Sequence, residues 1–487
     1  MGGLPSIAYS IMAKIARIDS FFSSRKPGAR RAVLKKAPSP REVALRPTAP
    51  AKHPDLTDRI VEYIQRLRPD DDALPDDVHQ RVRRQLDHSG DAVAIADAIC
   101  IDCEQRSDLL QSCSSCYSTR LRPNDAQRPA AFLASSTEAM KSRVINTSVR
   151  ALDAFHQLMQ TKKAADFATL GGDALFLFRF LAERAQHDQV RDLALKYVHL
   201  AMQRWDQHHP TLSPPYTASH LLYYAEAVHA KLFLQPERLH VHRQELRDAL
   251  MDFELSEVVT FSPSESEPLY LATGTCSGCF KRNPSRAESC SGCRRDLRRT
   301  VDYQSMFFAL VWAGLFAEID VDLHCNDHDD PVTVADVLRH LKQIRPYRSC
   351  DDIGCGSYKA QCYFITHLVY VMSDWGRVEL DPIDFVEEVT FLLGNMEKAI
   401  RLGDPEIVGE MVQCLRIFGA GDDDLAVQKG VAYLLQKEKT LKKGNWVKPT
   451  RTFYQRYHAV YCGLIGLNPF RPRPRRPLPR AWRDALY

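Results

Sequence analysis

From about Ser136 to Ser262, and again from Met306 to Leu435, apolar residues return every three or four positions. Val190, Leu193, Ala194, Tyr197, Val198, Ala201, Met202 and Trp205 trace one such stripe. Leu221, Leu222, Ala225, Val228 and Leu232 trace the next, after a breaker at Pro214-Pro215. A period near 3.6 is that of an amphipathic helix, whose apolar face must be buried against a neighbour. Helix after helix with short polar connections predicts an all-α body of stacked helical hairpins, either an α/α toroid or an open solenoid. The stretch from Ile407 to Phe418 shows how one element is specified. Ile407, Val408, Met411, Val412, Leu415 and Phe418 form its stripe, Asp404-Pro405 starts it, and Gly419 with Gly421 stops it.

Two cysteine clusters interrupt this pattern. Cys276, Cys279, Cys290 and Cys293 are spaced C-x2-C-x10-C-x2-C, and Cys100, Cys103, Cys113 and Cys116 are spaced C-x2-C-x9-C-x2-C. Zinc takes four thiolates tetrahedrally, and each C-x2-C pair curls into a turn that aims two sulfurs at one ion. Two zinc knuckles, with two structural Zn2+ ions, are therefore expected; a crossed arrangement, each pair joining a distant pair, stays open. A four-thiolate site is closed and leaves no position for substrate. The second knuckle resembles small zinc ribbons. It also shares spacing with the Ran-binding-protein type of finger, but Gly274 stands where that finger has Trp. Lys281, Arg282, Arg286, Arg294 and Arg295 make it locally basic, which favours nucleic-acid contact.

With 487 residues, 45% hydrophobic and 26% charged, the chain has material for two or three domains. The boundaries read as a disordered basic tail over 1–55, short helices with the first knuckle over 56–135, and a helical-hairpin segment over 136–265. The second ribbon follows over 266–300, then a second helical-hairpin segment over 301–467 and an Arg/Pro-rich tail, extended or disordered, over 468–487. No apolar run reaches the roughly 18 residues that span a bilayer, and no secretory leader is evident at the start. Metal-type cysteine spacing points to a reducing, intracellular compartment, nucleus or cytoplasm, with a mitochondrial transit peptide as the alternative reading of the Arg-rich start. The net charge of +4 hides a polarity: residues 1–52 and 468–487 are basic, while the rest carries 48 basic and 58 acidic residues. The tails are thus the places for an acidic partner such as nucleic acid.

Within the first tail, Ile15-Ala-Arg-Ile18-Asp-Ser-Phe21-Phe22 resembles the peptide that binds the replication sliding clamp, with Ile15 where that family has Gln. The resemblance implies Ile18, Phe21 and Phe22 as the residues that plug the clamp's pocket.

Near the other end, Lys429-Gly430, Tyr433-Leu434, Glu438 and Gly444-Asn445-Trp446 resemble the QW repeat of the terpenoid-cyclase and prenyltransferase superfamily, over about 330–467. Glu438 replaces the family's Gln. The resemblance implies an α/α toroid in which Trp446 ties adjacent hairpins together, with Tyr454, Tyr457, His458 and Ala459 opening the next helix. It also directs attention to Asp327-His328-Asp329-Asp330, which spells the Asp-x-Asp-Asp acid of class II cyclases. Asp329 would be the proton donor, tuned by Asp327 and Asp330; a helix cap is the simpler reading of the same acids. His324, Cys325, Asp327, His328, Cys350, Cys355, Cys362 and His367 supply enough soft ligands for an open zinc site of the prenyltransferase kind. His367 and His458 otherwise read as hydrogen-bonded core histidines. These features favour a zinc-stabilised helical interaction scaffold with a protein partner, with a terpenoid-cyclase-like enzyme or a clamp-recruited nuclear factor as alternatives.

Overall fold

A computed structural model describes residues 56–68, 74–89, 130–160, 164–208, 212, 214, 216–259, 289–294, 303–325, 330–470 and 472–486, with three short strands between 98 and 123. The first half runs α1 (Leu56–Arg66), α2 (Val78–Ser89), α3 (Ala130–Gln160), α4 (Ala164–Arg184), α5 (Asp188–His208), α6 (Ala218–Leu234), α7 (Leu239–Leu250) and α8 (Leu255–Val258). The second runs α9 (Tyr303–Glu318), α10 (Val334–Leu338), α11 (Leu341–Ile344), α12 (Cys350–Met372), α13 (Val386–Leu402), α14 (Pro405–Ile417), α15 (Leu425–Leu441), α16 (Phe453–Leu467) and α17 (Arg480–Leu486). β1 (Ala98–Cys100) pairs antiparallel with both β2 (Arg106–Ser107) and β3 (Leu121–Pro123). The body is all-helical, as the periodicity predicts, and among the described residues no helix is long and apolar enough to cross a membrane.

Neighbouring helices divide into two sets. α4 packs on α6, α6 on α9, α9 on α12, α12 on α14, α14 on α16, and α16 meets α4 again. Outside them, α5 lies against α4, α7 against α6, and α15 against α14 and α16, while α3 touches both α5 and α16. The stripes predicted from sequence are the faces that make these contacts. All six apolar residues of the α14 stripe are fully buried, Asp404 caps the helix by accepting from the Glu406 amide at 3.2 Å, and Gly419 turns the chain away at φ +92°.

The inner helices cross closely. A Cβ on Gly409 of α14 would stand 2.1 Å from the Cys462 carbonyl oxygen of α16, and one on Gly172 of α4 would stand 2.2 Å from the Tyr223 carbonyl oxygen of α6. Only a missing side chain permits such an approach. The segment 442–452 connects α15 to α16. Trp446 is fully buried, its indole N–H donates to the Leu434 carbonyl at 2.9 Å, and its ring fills the space beside Gly463. Glu438, buried where the family has Gln, accepts from the Gly444 amide at 2.9 Å and from Arg150 of α3 at 3.0 Å.

The first described helices and the C-terminal segment are fastened to the same body. Arg81 of α2 binds both oxygens of Glu387 on α13, at 3.0 and 2.7 Å, and Gln85 brackets the Tyr347 backbone with two bonds of 2.8 Å. The C-terminal segment runs extended before α17, which packs on α10. Two of its arginines are engaged there, Arg475 with Glu379 at 2.8 Å and Arg476 with Asp374 at 3.5 Å.

Candidate active site in the central cavity

The inner helices surround a cavity of about 800 Å³. The 3.6-residue period that buries one face of each helix presents the opposite face here. On α16 that face is Tyr454, His458, Tyr461 and Ile465; on α14 it is Glu406, Glu410 and Gln413; on α12 it is Tyr363, His367 and Tyr370. α4 adds Asp173, Phe176 and Phe180, α6 adds Tyr223 and Glu226, and α9 adds Phe307 and Phe308. Aromatic rings make up much of the wall, and carboxyl groups stand among them.

Asp173 and Glu226 are hydrogen-bonded to each other, and the Tyr457 hydroxyl also bonds Asp173. Burial, then the negative charge of Asp173, hold Glu226 well above the ordinary carboxylate range; burial also raises Asp173. Two carboxyls this close retain a proton between them, because both cannot ionise in a place poor in water. On α14, the Tyr363 hydroxyl donates to Glu406 at 2.9 Å, the Thr366 hydroxyl donates to Glu410 at 2.6 Å, and the Cys462 thiol donates to Glu410 at 3.5 Å. Burial, with the Asp404 charge behind it, pushes Glu406 up to about 8. Burial pushes Glu410 up to about 7. Asp404 is instead paired with Lys359.

The two histidines of the cavity are neutral. Burial lowers His367 and His458 to about 4 each. The His367 Nδ1–H donates to the Tyr363 carbonyl at 2.9 Å, which leaves its Nε2 as an acceptor. Four polar atoms of lining residues have no hydrogen-bond partner among the described residues: Glu226 Oε2, Gln413 Oε1, His458 Nε2 and Trp375 Nε1. Gln413 is only 4% exposed. Buried polar groups are normally paired; these four atoms are themselves sealed from solvent, so they mark polar strain just behind the cavity wall.

Trp375 reaches the cavity from a strained turn. Asp374, Trp375 and Gly376 follow α12 with φ of +55°, +53° and +80°. Each non-glycine residue held there costs on the order of 1–3 kcal/mol. The turn is fixed by the Trp375 amide donating to the Tyr370 carbonyl at 2.7 Å, by the Gly376 amide donating to Ser373 at 2.9 Å, and by Arg377 bridging Asp374 and Glu318.

Only some of the residues proposed from sequence are described. Asp330 is exposed and is not among the lining residues, while Asp327 and Asp329 lie outside the described residues. Cys103, Cys113, Cys116, Cys276 and Cys279 also lie outside them, as do Ile18, Phe21 and Phe22. Cys100 closes β1. Cys290 is buried and Cys293 exposed, and the Gly292 amide donates to the Cys290 sulfur at 3.3 Å. Among the described residues no three His, Cys, Asp or Glu side chains gather as metal ligands, so the soft ligands on α12 do not assemble an open zinc site there. His367 and His458, read as core histidines, face the cavity instead. Asp173, Glu226, Glu406, Glu410 and Trp375 were not signalled by any motif. The readable signal was a carboxylate inside an otherwise apolar stripe, as in Tyr224-Ala225-Glu226-Ala227-Val228 and Val408-Gly409-Glu410-Met411-Val412.

No protein-family model, no curated protein and no solved structure matches this chain.

Proposed function

We propose that the inner helices form an α/α toroid and that its central cavity is the active site of an enzyme. The chemistry is general acid–base catalysis on a small, hydroxyl-bearing ring compound, of which a glycoside is the type. One observation carries the reading: proton-holding carboxyl groups line a single aromatic-walled cavity. Aromatic faces suit the flat C–H faces of such a ring, and the carboxyl groups and tyrosine hydroxyls of the wall suit its hydroxyls. An acid with proton affinity near neutrality is matched to a departing oxygen. Protonating an alkene requires a much stronger acid, so these groups fit an oxygen leaving group better than the polyene of a terpenoid cyclase. Glu406 gives the proton, and the Asp173–Glu226 pair, which keeps one negative charge, activates the attacking water.

The cavity moves the reading from scaffold to enzyme, since a scaffold needs no concave centre lined with proton-holding acids. The test is turnover of a panel of fluorogenic glycosides by the wild-type chain, by Glu406→Gln and by Glu226→Gln. Wild-type turnover with a loss of about 10²–10⁴-fold in each variant is expected. Turnover of an isoprenoid diphosphate instead, unaffected by either substitution, would overturn the assignment.

We infer separately that Cys276, Cys279, Cys290 and Cys293 hold one structural Zn2+ ion, and Cys100, Cys103, Cys113 and Cys116 a second. The amide that donates to the Cys290 sulfur supports the first, because such a bond favours a thiolate in a metal-binding turn. Metal analysis of the purified chain should return two zinc ions, and Cys290→Ser should remove one of them.

A further inference from the structure

Cys350 and Cys355 stand with their sulfurs 3.1 Å apart at the start of α12. In an unbroken helix, side chains five residues apart diverge by roughly 140°. Here the helix breaks between them at Gly354, with φ +77° and ψ 155°, and the break turns the two thiols toward each other. Cys350 is 5% exposed, whereas Cys355 is exposed to solvent. Nothing lies within 4 Å of the position a Cβ would take on Gly354, so the backbone has room to move at the one residue between the thiols that breaks the helix. The residues that follow, Gly356, Ser357 and Lys359, belong to the cavity wall.

We propose that Cys350 and Cys355 form a reversible thiol–disulfide switch built into the wall of the central cavity. The oxidant is a low-molecular-weight disulfide such as oxidised glutathione. The exposed Cys355 thiolate attacks one glutathione sulfur, breaking its S–S bond, forming a mixed disulfide and releasing one glutathione thiolate. Cys350, its proton passing to solvent, then attacks the Cys355 sulfur and expels the second glutathione. Two protein thiols are oxidised and one glutathione disulfide is reduced, with no other reactant. Closing the gap to about 2.05 Å draws Cys355 toward the buried Cys350, and Gly356 and Ser357 move with it. This switch does not depend on the chemistry assigned to the cavity.

The fragment Ser349–Lys359, released by trypsin between Arg348 and Ala360, contains these two cysteines and no other. After the full-length reduced protein is incubated with excess oxidised glutathione, this fragment should be lighter by two hydrogen atoms, carry no glutathione, and regain both hydrogens in dithiothreitol. In Cys355→Ser, a change at an exposed position, the fragment should keep its starting mass because Cys350 is buried. Glutathione retained on Cys355 of the wild-type chain, or both thiols still free, would overturn the proposal.

Discussion

Trp446 and Leu434 are joined by an indole-to-carbonyl hydrogen bond of 2.9 Å that fastens the turn after α15 back onto α15 itself. The same ring is the floor on which Gly463 of α16 rests, so one side chain sets the distance between two helices. Trp446→Ala should cost about 3–5 kcal/mol of unfolding free energy. Gly463→Ala, whose new methyl would stand 2.7 Å from the indole, should cost about 1–3 kcal/mol. Urea denaturation checks both, and a Trp446→Ala loss below about 1 kcal/mol would show that the tie is dispensable.

Stability should fall as pH rises above neutrality. Glu406, at about 8, and Glu410 and Glu318, at about 7, bind protons more tightly in the folded chain than at their ordinary value of 4.5. Their contribution is present in full below pH 4.5 and is lost as pH rises through 7 and 8. His367 and His458, lowered from 6.5 to about 4, act oppositely: their contribution is present above pH 6.5 and is lost as pH falls through 4. The two effects compete between 4.5 and 6.5, and only the carboxyl effect remains above. Each tenfold difference in proton affinity is worth about 1.4 kcal/mol. Thermal unfolding from pH 6.5 to about 8.5 should show a falling midpoint, and a flat or rising one would contradict the burial of these acids.

Glu226→Gln keeps the size of the side chain and removes its charge. Because burial and Asp173 both oppose ionisation of Glu226, the variant should melt higher than wild type at pH 8, by the equivalent of about 0.5–2 kcal/mol. It should also lose glycoside turnover. A gain in stability with a loss of activity is the signature of a group kept for chemistry, and a variant less stable than wild type at that pH would argue for a purely structural acid.

The pairing of Arg81 with Glu387 locks α2 onto α13 with both partners buried. Removing one partner strands the other charge, so Arg81→Ala should cost about 3–5 kcal/mol. The double variant with Glu387→Ala should cost less than the sum of the two single changes. Additive losses in denaturant titrations would mean that the two side chains do not interact.

The helical body was legible from the sequence wherever one period governed a segment. Val190 to Trp205 and Ile407 to Phe418 form helices because their apolar residues recur at one helical spacing and are buried against neighbouring helices. The cavity was not legible, because its residues belong to many helices brought together only by folding. Glu226 and Glu410 interrupt apolar stripes in a way that looks like noise in one dimension. Trp375 was hidden for another reason: Ser373-Asp374-Trp375-Gly376 carries a helix stop, but those four residues do not show that the turn, held by Arg377 between Asp374 and Glu318, places the indole in the cavity wall. The two four-cysteine spacings were the reverse case, plain in the sequence and silent about the cavity.

Arg81 and Glu387 are separated by 306 residues of chain. A ribosome adding about 5–20 residues per second needs roughly 15–60 s to cover that span. Throughout that interval α2 is outside the exit tunnel without its partner, its guanidinium solvated and its apolar face uncovered. Of the described helices, the first pair to be synthesised thus waits about that long for the partner that pins it to the body.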